Sequence, residues 1–162
     1  MEIIRPATRR NATGPLRRLL WAREAPRPAP RRRFWVYAAP LGVLPLIGLG
    51  LAAGAYLIDN RVLPAIVIWI IAAGSVLPVA VCVRWPVLAW RLAFLMMFLG
   101  VINVGPKEAW PWNTVQIFGF LVVLGRLAVT QESAVTVWAT IGSLVPVFLF
   151  AKGANADRKS VV

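Results

Sequence analysis

Between positions 62 and 105 the chain carries only two charged residues, Arg84 and Arg91. Residues 62–83 hold no charge at all, and residues 87–105 hold only Arg91. An uncharged run of this length approaches the ~20 helical residues needed to cross a bilayer core. Arg84-Trp85-Pro86 between the two runs therefore reads as the turn of a transmembrane hairpin. Pro86 suits the first turn of the following helix, where its missing N–H is no loss. Trp85 and Trp90 are placed at headgroup depth, where amphipathic rings collect. Arg91 lies about one turn in, within reach of the interface by snorkelling.

Three further runs of the same kind fall at 34–58, 114–130 and 134–151. The expected fold is thus an all-α integral membrane bundle of about five transmembrane helices, with four to six open. Composition agrees. Hydrophobic residues are 59% of the 162, charged residues 15%, and the mean hydropathy is +0.71. A soluble domain runs about 45–50% apolar and about 25% charged. The domain reading is a basic Arg/Pro-rich cytoplasmic tail over 1–33, a polytopic membrane domain over 34–151 and a polar end over 152–162. Ser160-Val161-Val162 reads as the opening of a sixth apolar run.

The net charge of +12 is concentrated rather than spread, because ten of the 18 basic residues are arginines in the first 33 positions. That pattern fits a tail beside a membrane, not a nucleic-acid groove. Arg31, Arg32 and Arg33 precede the first apolar run, and such a cluster attracts anionic lipid at a cytoplasmic leaflet. Five prolines in the tail oppose any long helix. Disorder is the expectation there, with residues 16–23 able to form two amphipathic turns that put Leu16, Leu19 and Leu20 toward the membrane. With the N-terminus inside, 13 basic residues fall inside and five outside, which obeys the positive-inside rule. The location implied is a bacterial plasma membrane, with the lipid bilayer as first partner.

The chemistry available is narrow. There is no histidine, one cysteine (Cys82) and six scattered acidic residues. Histidine metal sites, Ser-His-Asp and Cys-His catalysis are thereby excluded within these residues. No carboxylate pair is spaced for general acid–base work. The chain is read as non-catalytic, with no cofactor, no metal and no nucleic-acid partner. Gly50 and Gly54 form a GxxxG motif in the first run, which permits close helix contact. Its two uses are packing against another span of the same chain, which is preferred, and homodimerisation. The loop around Trp110-Pro111-Trp112 is either an aromatic interfacial anchor or an outer ligand platform. Asn103 and Gln116 flank it at the outer ends of two runs. Arg84, Arg91 and Arg126 are the inner-face candidates, since a charged residue near the end of a span contacts the interface or a functional partner.

The order of these features resembles the membrane-embedded N-terminal region of actinobacterial sensor histidine kinases of the class paired with NarL-type response regulators. The residues that carry the resemblance are Leu77-Pro78, the stretch from Arg84 to Arg91, Trp110-Pro111-Trp112 and Leu124-Gly125-Arg126. It covers roughly residues 34–151. It implies a transmembrane input domain ahead of a cytoplasmic kinase. The chain departs from that family in lacking both the phosphoacceptor histidine and the ATP-binding domain. The resemblance therefore implies an isolated or truncated sensor module, with a kinase module expected in full-length relatives. The alternative is a small self-standing multi-pass protein acting as scaffold or partner subunit.

Overall fold

The computed structural model describes residues 13–21, 24–26, 34–101, 104 and 110–159, with side chains over 14–21, 24–26, 42–101, 104 and 110–150. Arg31, Arg32, Arg33 and Asn103 lie outside these residues. The described chain is all-helical, with six helices and no strand: α1 Thr13–Trp21, α2 Phe34–Asn60, α3 Ala65–Val81, α4 Pro86–Gly100, α5 Thr114–Thr130 and α6 Ser133–Lys159. Helix α3 is central and packs against α2, α4 and α5. Helix α6 lies at the edge, against α1, α5 and α4.

Helix boundaries follow local chemistry more closely than apolar content. The uncharged run 62–83 becomes a 17-residue helix, because Pro64 precedes its start and Arg84-Trp85-Pro86 follows its end. Pro86 opens α4 at the first helical position, where its preset φ suits a helix start. Helix α4 closes at Gly100, after 15 residues, well short of the expected end at 105. Asn113 caps α5: its side chain accepts from the backbone N–H of Gln116 at 2.7 Å. Helix α6 runs on to Lys159, so much of the polar end continues the last helix.

Two stretches are long and apolar enough to cross a membrane, Gly42–Asn60 and Ser133–Phe150. Helices α3, α4 and α5 are apolar but shorter, at 17, 15 and 17 residues. At 1.5 Å per residue that is about 22–26 Å each, less than the about 30 Å of a hydrocarbon core.

The core is continuous from one end to the other. One cluster of buried residues runs from Trp112 through Met97, Phe120, Val123 and Ala139 to Leu127, Val87 and Leu19. A second, smaller one joins α2 and α3 through Ala53, Leu57, Ile68 and Ile71. Small residues set the helix spacing. A Cβ on Gly119 would stand 2.6 Å from the Ser75 carbonyl oxygen, so α5 crosses α3 almost backbone to backbone. Gly54 faces the Trp69 ring and Gly50 faces Val76, both on α3. The two glycines of the GxxxG motif thus contact a helix of their own chain.

The tail departs from the disorder expected of it over part of its length. Residues 13–21 form α1, and Leu19 is buried in the main core. Leu16 is partly buried, and Leu20 remains 41% exposed. Pro15 sits in the first turn of α1, where proline does not interrupt the hydrogen-bond ladder.

Candidate functional site

Helix α4 is gripped at both ends by residues distant in sequence. A helix leaves its last carbonyls and its first N–H groups without partners of its own. At the C-terminal end of α4 two of those carbonyls, and that of Met96 just before them, are met by side chains. Gln116 Nε2 donates to Met96 O at 2.6 Å, and Trp112 Nε1 donates to Met97 O at 2.8 Å. Arg61 donates to Gly100 O at 2.7 Å and, through its other terminal nitrogen, to Pro111 O at 2.5 Å. Arg61, Trp112 and Gln116 are all buried. The guanidinium also places positive charge at the negative end of the α4 dipole. We call this the Trp112 end.

Gly100 makes room for the arrangement, since a Cβ there would meet Trp112 Cδ1 and Gln116 Oε1 at 2.9 Å. Three rings close the same end. Trp110 packs edge-on against Trp112 at 5.4 Å and against Phe150 at 6.0 Å, and Trp112 lies 5.9 Å from Phe150. Beneath them is a cavity of about 320 Å³ between α5 and α6. Its walls include Met97, Phe120, Leu121 and Val147.

At the N-terminal end of α4 the partners come from the tail. Glu24 Oε2 accepts from the backbone N–H of Val87 at 2.9 Å and of Leu88 at 3.3 Å. A carboxylate there is favoured by the positive end of the helix dipole. Its Oε1 accepts from Gln131 Nε2 at 3.3 Å, which ties in the end of α5. Arg91 donates to Leu19 O at 2.6 Å and to Arg18 O at 3.1 Å, the last carbonyls of α1. Arg18 pairs with Glu132 across the surface at 3.4 Å. We call this the α1 end.

The candidate residues thus separate in role. Trp110 and Trp112 are close but not equivalent: Trp110 is 47% exposed, whereas Trp112 is buried and tethered. Gln116 stands beside them, buried rather than on an outer surface. Of the arginines, Arg91 holds α1, Arg84 is exposed over the Trp85 ring at 5.4 Å, and Arg126 is exposed on α5. Trp90 points into the bundle rather than outward. It is 2% exposed, stacks on Phe94 at 5.1 Å and donates from Nε1 to Ser143 Oγ at 3.2 Å. Its place in the second turn of α4 turns it onto α6, and Ser143 supplies the acceptor that a buried indole N–H needs.

Arg61 and Glu24 belong to the candidate site, and sequence reasoning passed over them. Arg61 belongs to Asp59-Asn60-Arg61, a three-residue polar break that reads as an ordinary turn. Its partners lie 39 and 50 residues on. The one usable signal is that a lone cation follows directly on the C-terminus of an apolar helix. Among the described residues no group of three or more Cys, Asp or Glu could hold a metal ion.

No family model matches the chain, and neither a curated protein nor a solved structure does.

Proposed function

We propose that the chain is a multi-pass membrane protein, with α1 on the cytoplasmic side, that works as a non-catalytic input module. The membrane part rests on the apolar exterior. The candidate spans in α2 and α6 are only 17% and 22% buried, although their mean hydropathies are 1.6 and 1.8. Leu44, Ile47, Ile66, Phe118 and Phe148 all stand more than half exposed. A soluble protein of this size rarely leaves apolar surface so continuous. The shorter helices α3, α4 and α5 match a bilayer through local thinning and snorkelling arginines at their ends. Arg17, Arg18, Arg84, Arg91 and Arg126 all lie at the α1 end, which supports placing that end against an anionic cytoplasmic leaflet.

The single observation that carries the input reading is the double grip on α4. Its carbonyls are held by Arg61, Trp112 and Gln116, and its first N–H groups by Glu24. A small rigid shift of α4 changes both sets of contacts, so a ligand or lipid that favours one position at the Trp112 end biases α1 at the other. Such a bias requires differential binding to the two positions. In this reading Trp110, Trp112 and Gln116 receive the stimulus, and α1 with Arg91 and Arg126 delivers it. A kinase module of the kind the resemblance implies would be the recipient.

The test has two parts. Insertion is scored by alkaline-carbonate resistance and by labelling of single cysteines placed at each end in a Cys82→Ser background. Coupling is scored by the spin–spin distance between labels at Leu20→Cys and Val83→Cys. Trp112→Phe should shift that distance distribution without loss of helix content. An unchanged distribution in every folded variant of the Trp112 end would sink the input reading.

A second reading, a scaffold or partner subunit, is favoured by one observation. Trp21 is 77% exposed on the docked α1, next to exposed Arg17 and Arg18. Under that reading Trp21→Ala removes partner binding while leaving the label distances unchanged.

A further inference from the structure

The cavity beneath the three rings is apolar with one exception. None of its eight lining residues is charged. The indole N–H of Trp112 is committed to Met97 O. The amide of Gln116 is committed through its nitrogen to Met96 O. Because a backbone carbonyl can only accept, the nitrogen must face Met96 and the amide cannot be flipped. Gln116 Oε1 is therefore turned away, and among the described residues nothing donates to it. Gln116 is 96% buried, at 4% relative exposure. Oε1 keeps a little accessible surface, and an acceptor with no donor among the described residues, at the wall of a cavity, is a handle for a ligand.

The size and shape restrict what can use that handle. About 320 Å³ is at the small end of ligand pockets. Trp110, Trp112 and Phe120 present aromatic rings to the cavity, a lining suited to a planar apolar group. Leu121 lines the cavity and is 56% exposed on the flank of the bundle, so the cavity opens sideways between α5 and α6. On the membrane reading above, that opening faces hydrocarbon. A charged ligand would find no counter-charge, and a purely apolar one would leave Oε1 unmet.

We propose that this cavity binds an uncharged, planar lipophile that carries a hydroxyl donor, of the alkylphenol class, taken from the bilayer. The ring lies among Trp110, Trp112 and Phe120, the hydroxyl donates to Gln116 Oε1, and the alkyl chain leaves past Leu121. Because Gln116 and Trp112 hold the end of α4, occupancy stiffens the very contacts that the input reading requires to move.

The test uses the full chain in lipid nanodiscs, with 4-heptylphenol and its methyl ether 4-heptylanisole as probes. Saturable quenching of tryptophan emission is read against empty nanodiscs. The phenol should bind about 3- to 10-fold more tightly than the ether, the value of one hydrogen bond. Gln116→Leu should bring that ratio to about one. Val147→Trp, which fills the cavity, should remove saturable binding of both probes. Should Val147→Trp lose helix content, Trp110→Ala serves instead, weakening both probes alike because half its ring is already exposed. Absent saturable binding in the parent protein, or a phenol-to-ether ratio unchanged in Gln116→Leu, overturns the proposal. Insertion is scored on the same nanodiscs by cysteine labelling. An inserted bundle that binds neither probe overturns the cavity alone, while failed insertion overturns the membrane reading on which it rests.

Discussion

The two ends of α4 solve the same problem with different materials. At the Trp112 end the carbonyls of the last turn of α4 and of Pro111 are met by buried side chains, and the bonds to Arg61, Trp112 and Gln116 are 2.5–2.8 Å long. At the α1 end the bonds run 2.6–3.4 Å and lie at the surface or half-buried, and the one ion pair is 67% and 63% exposed. A buried polar contact is costly to break because its partners are left dry. A surface contact exchanges for water at little cost. The difference assigns the Trp112 end to a closed cap and the α1 end to a releasable strap.

The largest effect should come from breaking the cap at its charge. Arg61→Met keeps the volume but strands Gly100 O and Pro111 O, two bonds to a charged donor. The expected loss is about 3 kcal/mol or more, read as a fall in the thermal midpoint in detergent. An Arg61→Met protein as stable as the parent would remove the distinction between the ends. Close behind it is Gly119→Ala. The added methyl would meet the Ser75 carbonyl oxygen at 2.6 Å, which is backbone and cannot swing aside. Separation of α3 and α5 should cost about 1–3 kcal/mol. Gly125→Ala, with open space around it, is the matched control on the same helix and should be close to neutral.

Trp112→Phe sharpens the comparison without dismantling the cap. An aromatic ring stays, but the N–H to Met97 O and part of the buried indole are lost, for about 1–3 kcal/mol. Glu24→Gln is its counterpart at the strap. The amide oxygen still accepts from Val87 or Leu88, but the charge that favours the start of α4 is gone. A cost of roughly 0.3–1 kcal/mol is expected. The informative readout is amide exchange: Trp112→Phe should raise exchange at the C-terminal turn of α4, and Glu24→Gln should raise it in α1.

What the sequence discloses and what it hides divide along the same line. Interactions between near neighbours are legible. The turn at Arg84-Trp85-Pro86, the start of α4 at Pro86 and the bounds of α5 at Thr114 and Thr130 follow from residues within a few positions. The all-helical fold follows from the uniform apolar runs. Helix lengths are less legible, because an apolar run does not report where Pro64 lets the helix begin or where Gly100 ends it. The cap and the strap are not legible at all. Arg61, Glu24 and Arg91 find backbone partners 39 to 73 residues away, and a backbone group has no sequence signature. The burial of Trp90 is hidden for a related reason. In a helix that is apolar all round, no periodicity tells the face that meets α6 from the exposed face.

The smallest effect belongs to the most visible contact. Arg18 and Glu132 are the only ion pair among the described residues, and both side chains are mostly in solvent. Arg18→Gln should cost no more than about 0.5 kcal/mol, and less as salt is raised. Its consequence should be kinetic rather than thermodynamic. Leu19 and the two carbonyls held by Arg91 keep α1 seated, so the pair serves to steer α1 back after release. The rate at which a label at Leu20→Cys is modified by a bulky maleimide should rise on Arg18→Gln at low salt and converge with the parent at high salt. A rise that persisted at high salt would mean that Arg18 seats α1 through packing instead. The strap would then be held by the same kind of contact as the cap, and the contrast between the two ends would be one of degree.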